Sequence, residues 1–304
     1  WWPPPGGVHS WFVPAPRPLG RSQPLAGKGR RLQSAVSWWS AQAGRRTFRV
    51  CGALSSDQQR APPLPQQAGT RVLVVEASRG LGLEFARQLL ERGCEVVAAH
   101  EPSAEEGLMA LKLAHEPALR RTGDLHLLPL RAESEGSVAE AVRQLRAAFG
   151  EGPSLTHIVH CASAAEHDGW ELAAVDGAAM ARALKASAVS AVLVAKHLLP
   201  LTTGRVARCE SGGPLPVLAL VGIGTGRPVG SVGGGYALRA STAAYTAVAQ
   251  ALAAELRGRV AVVHLEPGHV RCTATSWRGS KGAPEVVAAM LGSIEAASGS
   301  LGEV

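Results

Sequence analysis

Val72-Leu73-Val74-Val75-Glu76-Ala77-Ser78-Arg79-Gly80-Leu81-Gly82 passes from an apolar, β-branched run through a short turn carrying two glycines into the start of a helical pattern. Beyond it Leu81, Phe85, Leu89 and Leu90 recur on one helix face, and Gly93 stops the run. A strand, a glycine turn and a helix N-terminus in that order aim backbone N–H groups and the positive end of the helix dipole at one spot. A pyrophosphate would sit there. Two glycines alone are weak grounds for that reading, and the order of the elements around them carries it.

Outward from this stretch the same alternation continues. Strands are expected at 72–75, 94–99, 125–130, 155–161, 216–221 and 260–265, and helices over 80–92, 103–116, 137–149, 176–199 and 238–256. Apolar strands alternating with helices are the pattern of a parallel sheet covered on both faces. The fold class is therefore α/β: a Rossmann-type, doubly wound parallel sheet forming a single domain over 70–304, with no internal repeat.

Residues 1–69 read differently. They are rich in Pro, Gly, Ser, Gln and Arg, hold no acid before Asp57 and show no apolar period, so a disordered N-terminal tail is expected. The net charge of +7 belongs to this tail: residues 1–70 hold nine Lys and Arg against one acid, leaving 22 basic and 23 acidic residues beyond. Two readings of the tail stay open. One is an organellar transit peptide, for which Arg45-Arg46-Thr47-Phe48-Arg49 would suit a processing site; the other is a plain disordered extension. The first implies a mitochondrial location and the second a cytoplasmic one.

Several function classes fall away. After the tail, Tyr236, Tyr245 and few other rings are available for stacking, and no basic face stands out, so nucleic-acid binding is not expected. Five widely spaced cysteines without a C-x-x-C pair read as free thiols in a reducing compartment. Lys196 and His197 interrupt the longest apolar helical run, so no membrane span is expected. His157, His160, Cys161 and His167 do not make a metal site, because strand residues three apart point to opposite faces.

The glycine turn resembles the TGxxxGxG loop of the short-chain dehydrogenase/reductase family, and landmarks over residues 71–296 follow in that family's order. His160-Cys161-Ala162-Ser163 resembles its Asn-Asn-Ala-Gly stretch with only the alanine kept, and Glu266-Pro267-Gly268-His269-Val270-Arg271-Cys272 resembles its PGxVxT segment. Gly233-Gly234-Gly235-Tyr236-Ala237-Leu238-Arg239-Ala240-Ser241-Thr242 is similar to the matching stretch in carbonyl reductases of the C-factor and sniffer type. The resemblance implies NADP as cofactor, held by Ser78, Arg79, Gly80, Leu81, Gly82, His100, Ala162, Pro267 and Gly268. Arg79 stands where the family places a base facing the 2′-phosphate, and His100, just past the second strand, matches a second one. The absence of an acid at the immediate end of that strand, Glu101 coming one place later, favours NADP over NAD. Where the family usually has an Asp holding the adenine, this chain has Arg131.

The resemblance also marks what is missing. Glu76 replaces the first glycine of the loop, where another residue costs on the order of 1 kcal/mol in backbone geometry and a carboxylate would repel the pyrophosphate. Gly222 replaces the catalytic serine, Leu238 the tyrosine, Thr242 the lysine and Ser187 the asparagine. Leu238 has no proton to give, and Tyr236, two residues away on a helix, is turned by about 200°. No catalytic residue is therefore assigned. The expected function is a non-catalytic or impaired family member with weak NADP(H) binding, forming a homodimer through helices 176–199 and 238–256. Two alternatives remain: an NADPH-dependent carbonyl oxidoreductase using a different acid, and a decayed coding sequence without selected function.

Overall fold

The computed structural model describes residues 49–51, 70–115, 124–152, 154–161, 171–202, 215–222, 234–267, 270–271 and 281–299. Their strands are β1 (Arg49–Cys51), β2 (Arg71–Val75), β3 (Glu95–His100), β4 (Leu125–Pro129), β5 (His157–Cys161), β6 (Val217–Val221) and β7 (Ala261–Glu266), with a small outlying pair, β8 (Val270–Arg271) and β9 (Lys281–Gly282). The main sheet is parallel throughout, in the order β1-β7-β6-β5-β2-β3-β4. Leaving β1 aside, the order reverses between β2 and β5, the doubly wound arrangement that the sequence predicts, with a ligand crevice outside the carboxyl ends of those two strands.

Each strand feeds two cores because its side chains alternate. Val72 and Val74 face one layer, where Phe85, Leu89 and Leu90 of α1 (Gly80–Glu91) meet Leu108 of α2 (Glu106–His115) and Val287, Leu291 and Ile294 of α7 (Ala283–Gly299). Leu73 and Val75 face the other, against Val138 and Leu145 of α3 (Glu135–Phe149), Val194 and Leu198 of α5 (Ser190–Leu198), and Tyr245 of α6 (Tyr236–Glu255). Each of these larger side chains contributes roughly 1.5–3 kcal/mol of burial.

Several expectations change in detail. The helix expected over 176–199 starts at α4 (Gly177–Leu184), where Asp176 accepts bonds from Ala178 N and Ala179 N at 3.0 and 3.1 Å. It then widens into a π-helical turn, Lys185–Val189, before α5. Ser187 there donates its hydroxyl to the carbonyl of Ala183, and the Ser190 hydroxyl oxygen lies beside the carbonyl of Ala186, both at 2.8 Å. The stretch Gly177–Leu201 is long and apolar enough to cross a membrane by length and composition, contrary to the expectation that Lys196 and His197 rule it out. Both lie in the last turn of α5, near the end of the stretch, and leave an apolar window before them. One face of this helix, with Ala183, Ser187, Ala191, Val194 and Leu198, is committed to the domain's interior, as in a core helix.

α7 was not anticipated, although Val286, Val287, Met290, Leu291 and Ile294 bury one stripe of it. Of the expected disordered tail only Arg49–Cys51 are described, and they form the edge strand β1; the rest lies outside the described residues.

Candidate functional site

The crevice at the carboxyl end of β2 is built from backbone. Ala77 N donates to Ala99 O at 2.9 Å, tying the turn to β3, and α1 begins beyond Arg79 without a side-chain cap. Its first-turn amides, in Gly80, Leu81 and Gly82, are thus presented toward the crevice by geometry alone. Gly82 is obligatory, since a Cβ there would lie 2.0 Å from Glu76 O. Gly107 of α2 closes on the same loop, its would-be Cβ 2.7 Å from Ser78 O.

Glu76 sits at the tightest point. Its φ of 62° makes it the sole non-glycine residue in the left-handed region among those described, at the position where the resemblance calls for glycine. Its carboxyl is half-buried, and that burial pushes its pKa above the ordinary value. Arg79 pulls it back down, while Glu133 and Glu101 add to the rise. Cys161, buried at the end of β5, is pushed up by its own burial and further by Glu76.

The second-strand residues sit differently from expectation. β3 runs one residue further than predicted, because His100 pairs with Pro129 in the β3–β4 register and its carbonyl accepts from Leu130 N at 2.8 Å. His100 is therefore a buried strand residue and not a loop residue past the strand. Its Nδ1 lies 2.9 Å from Glu101 O, which can only accept, so Nδ1 carries a proton. Nε2 is buried without a hydrogen bond, 3.8 Å from a Glu105 carboxylate oxygen. Glu101 comes directly after the strand, which corrects the expectation that no acid stands there. Its carboxylate is bound by Arg131 at 3.0 Å, and both groups are exposed.

The positions that resemble a catalytic set lie directly after β6, in the π-helical turn and on α6. Gly222 follows β6 and donates its N–H to Leu265 O at 2.8 Å. A Cβ there would meet His264 Nε2 at 3.4 Å and Tyr245 Cδ1 at 3.8 Å. Leu238 and Thr242 lie one turn apart on α6, and Thr242 spends its hydroxyl on Leu238 O at 2.8 Å. Ser187 is buried in the π turn. Tyr236 opens α6 and is exposed, whereas Leu238 is half-buried. Pro267 is buried directly after β7; Ala162, Gly268, His167 and Cys272 lie outside the described residues.

One polar cluster escaped the sequence reading. His160 is fully buried, with Nδ1 2.9 Å from Tyr245 Oη and Nε2 2.9 Å from Ser190 Oγ. Tyr245 in turn donates to His160 O at 3.1 Å. Burial pushes the His160 pKa down to about 4 and the Tyr245 phenol well up, so both are neutral at physiological pH. This network pins Tyr245 and leaves it no proton for a substrate. His157 instead bonds Thr156 Oγ1 at 2.8 Å, and among the described residues no group of three His, Cys, Asp or Glu could hold a metal.

The arrangement matches known folds. The carbonyl reductase from chicken fatty liver, solved with NADPH bound, superposes with a TM-score of 0.64 at 18% identity, over 78% of this chain and 93% of that one. Drosophila melanogaster carbonyl reductase Sniffer gives 0.62 at 20% identity, over 75% and 91%. A Burkholderia cenocepacia short-chain dehydrogenase in complex with NADP gives 0.60 at 21%, over 75% and 90%. At such identities the likeness is one of fold. No curated protein matches the sequence. The family model described as enoyl-(acyl carrier protein) reductase spans residues 75–296, most of the chain beyond the tail. With that match, the doubly wound sheet and the glycine turn, the chain belongs to the short-chain dehydrogenase/reductase family.

Proposed function

We propose that this chain is a non-catalytic member of its family, a Rossmann domain that keeps a dinucleotide-shaped cradle and has lost the means to move a proton. The observation that carries this reading is at α6, where Leu238 is aliphatic and Thr242 is hydrogen-bonded to the backbone of Leu238, while Gly222 after β6 has no side chain to offer. A bound nicotinamide dinucleotide would supply hydride transfer. The carbonyl it reduces also needs a proton and a stabilised alkoxide, and neither comes from these residues. Each missing acid–base group removes roughly 10²- to 10⁴-fold.

The cradle itself suits a dinucleotide: an uncapped helix start, Gly80 and Gly82, and the buried, unpartnered Nε2 of His100 beside the strand end. Ser78, Arg79, Gly80, Leu81 and Gly82 would hold the phosphates, with Ala162, Pro267 and Gly268 alongside the nicotinamide half. Glu76 weakens this binding by charge. NADPH is preferred over NADH because Glu101, which would accept from ribose hydroxyls, is neutralised by Arg131 while Arg79 faces the extra phosphate.

A homodimer through α4–α5 and α6 accompanies this reading. Val189 and Val192 are 42% and 43% exposed on the outer face of the first, and Ala243, Ala247 and Ala251 line the outer face of the second.

Two measurements on the full chain test the proposal. NADPH titration followed by fluorescence should give weak saturable binding, and incubation with NADPH and a reactive quinone or dicarbonyl should give no turnover above background. Reduction at rates ordinary for an enzyme, lost on Tyr236→Phe, would replace this reading by an oxidoreductase with a displaced acid.

A further inference from the structure

The outer edge of β7 is covered by β1, in the register Arg49↔His264, Val50↔Leu265 and Cys51↔Glu266. β7 reads Ala-Val-Val-His-Leu-Glu, with no proline and no lysine along it. An edge of this kind presents unpaired N–H and C=O groups that recruit another strand unless something covers them. At the opposite edge of the sheet β4 ends in Pro129, which has no N–H to offer. The two edges are therefore guarded differently, one by its own proline and one by a segment from the basic N-terminal stretch.

The connection allows this. Residues 52–70 separate β1 from β2, and β1 lies four strand positions from β2 in the sheet. Four spacings amount to roughly 19 Å, well within the reach of a linker whose residues each span up to about 3.3–3.6 Å. The strand can reach β7, and it can leave without disturbing β2.

We propose that residues 49–51 are the closing strand of the domain, so that the N-terminal stretch is not a wholly removable leader. A functional N-terminus then lies upstream of Arg49, and cutting between residues 51 and 70 uncovers β7. This goes beyond the functional reading above and does not depend on dinucleotide binding.

Hydrogen exchange on the full chain, read by mass spectrometry, tests it. In the unaltered protein the amides of Val50–Cys51 and of His264–Glu266 should both be protected. In the variant R49P/V50P/C51P, which cannot donate from that segment, the His264–Glu266 amides should exchange on the order of tenfold faster while Leu73–Val75 at the sheet centre stay unchanged. A synthetic peptide of residues 46–54 should restore the protection. If Val50–Cys51 exchange in the unaltered protein at the rate of an unstructured peptide, the proposal is overturned. It is equally overturned if the variant keeps both Leu73–Val75 and His264–Glu266 at their unaltered rates. Should the variant lose protection at Leu73–Val75 as well, the unaltered chain alone decides.

Discussion

Glu76→Gly should tighten NADPH binding, and the size of the gain separates two causes. Glu76 is held at φ 62° by the close approach of Gly82 to its carbonyl. Relief of that backbone strain is worth about 1 kcal/mol to the folded protein, and the entropy that glycine adds to the unfolded chain offsets much of it. The melting temperature should therefore barely move. Binding responds to charge instead. If the Glu76 carboxylate came within roughly 8 Å of a phosphate charge, an effective dielectric near 20 would give a repulsion of about 2 kcal/mol. Arg79 and dissolved ions screen part of this, leaving on the order of 1 kcal/mol, roughly fivefold in Kd.

Glu76→Gln isolates that electrostatic part and should gain nearly as much affinity as Glu76→Gly. Because burial raises the Glu76 pKa, the unaltered protein should bind NADPH more tightly as pH falls through that raised value, where the carboxyl takes up its proton. The Gln variant should lack this component, which also corrects for the titration of the ligand's own phosphate near pH 6. Isothermal titration at several pH values reads all of it. Equal affinities for the three proteins at neutral pH, with melting curves intact, would show that the loop does not hold the phosphates.

Restoring Gly222→Ser, Leu238→Tyr and Thr242→Lys together on a Glu76→Gly background should give measurable reduction of a quinone or dicarbonyl, and any one restoration alone should not, because such groups act as a unit; a Cβ at Gly222 would make only ordinary van der Waals contacts, the nearest at 3.4 Å, so the serine is tolerable. Tyr245→Phe should cost about 1–3 kcal/mol in urea unfolding, since it strands His160 Nδ1 in the core; a change below a few tenths would mean the network is not formed. His160, held down to about 4 by burial, binds no proton in the folded state where the unfolded chain binds one, so stability should fall as pH drops from its ordinary 6.5 toward 4, by up to about 3 kcal/mol. His157 has the same shift, so His160→Asn should remove about half of that acid sensitivity; an unchanged pH profile would place the effect elsewhere.

What could be read from the sequence follows from range. Strands β2 to β7 appear within one or two residues of their expected places because an apolar run records burial on both faces locally. The misjudged end of β3 has a specific cause: His100 looks like a loop residue, and only its pairing with Pro129, nearly thirty residues away, makes it a strand residue. β1 is the extreme case. Arg49-Val50-Cys51 has no local pattern of its own within a Pro- and Arg-rich stretch, and its partner lies over two hundred residues further on. The His160–Tyr245–Ser190 network was hidden similarly, since nothing in a lone histidine within an apolar strand tells which hydroxyls face it. At the site the relation reverses. Gly222, Leu238 and Thr242 could be judged from residue type alone, because missing chemistry needs no geometry to be missing. Geometry then adds the decisive step for Thr242: its hydroxyl is not idle but bonded into α6, so replacing it by lysine does more than add a charge. It frees Leu238 O and puts a longer, charged side chain three residues before Tyr245 on the same helix, and the buried Tyr245–His160 network must hold if the restored set is to be positioned at all.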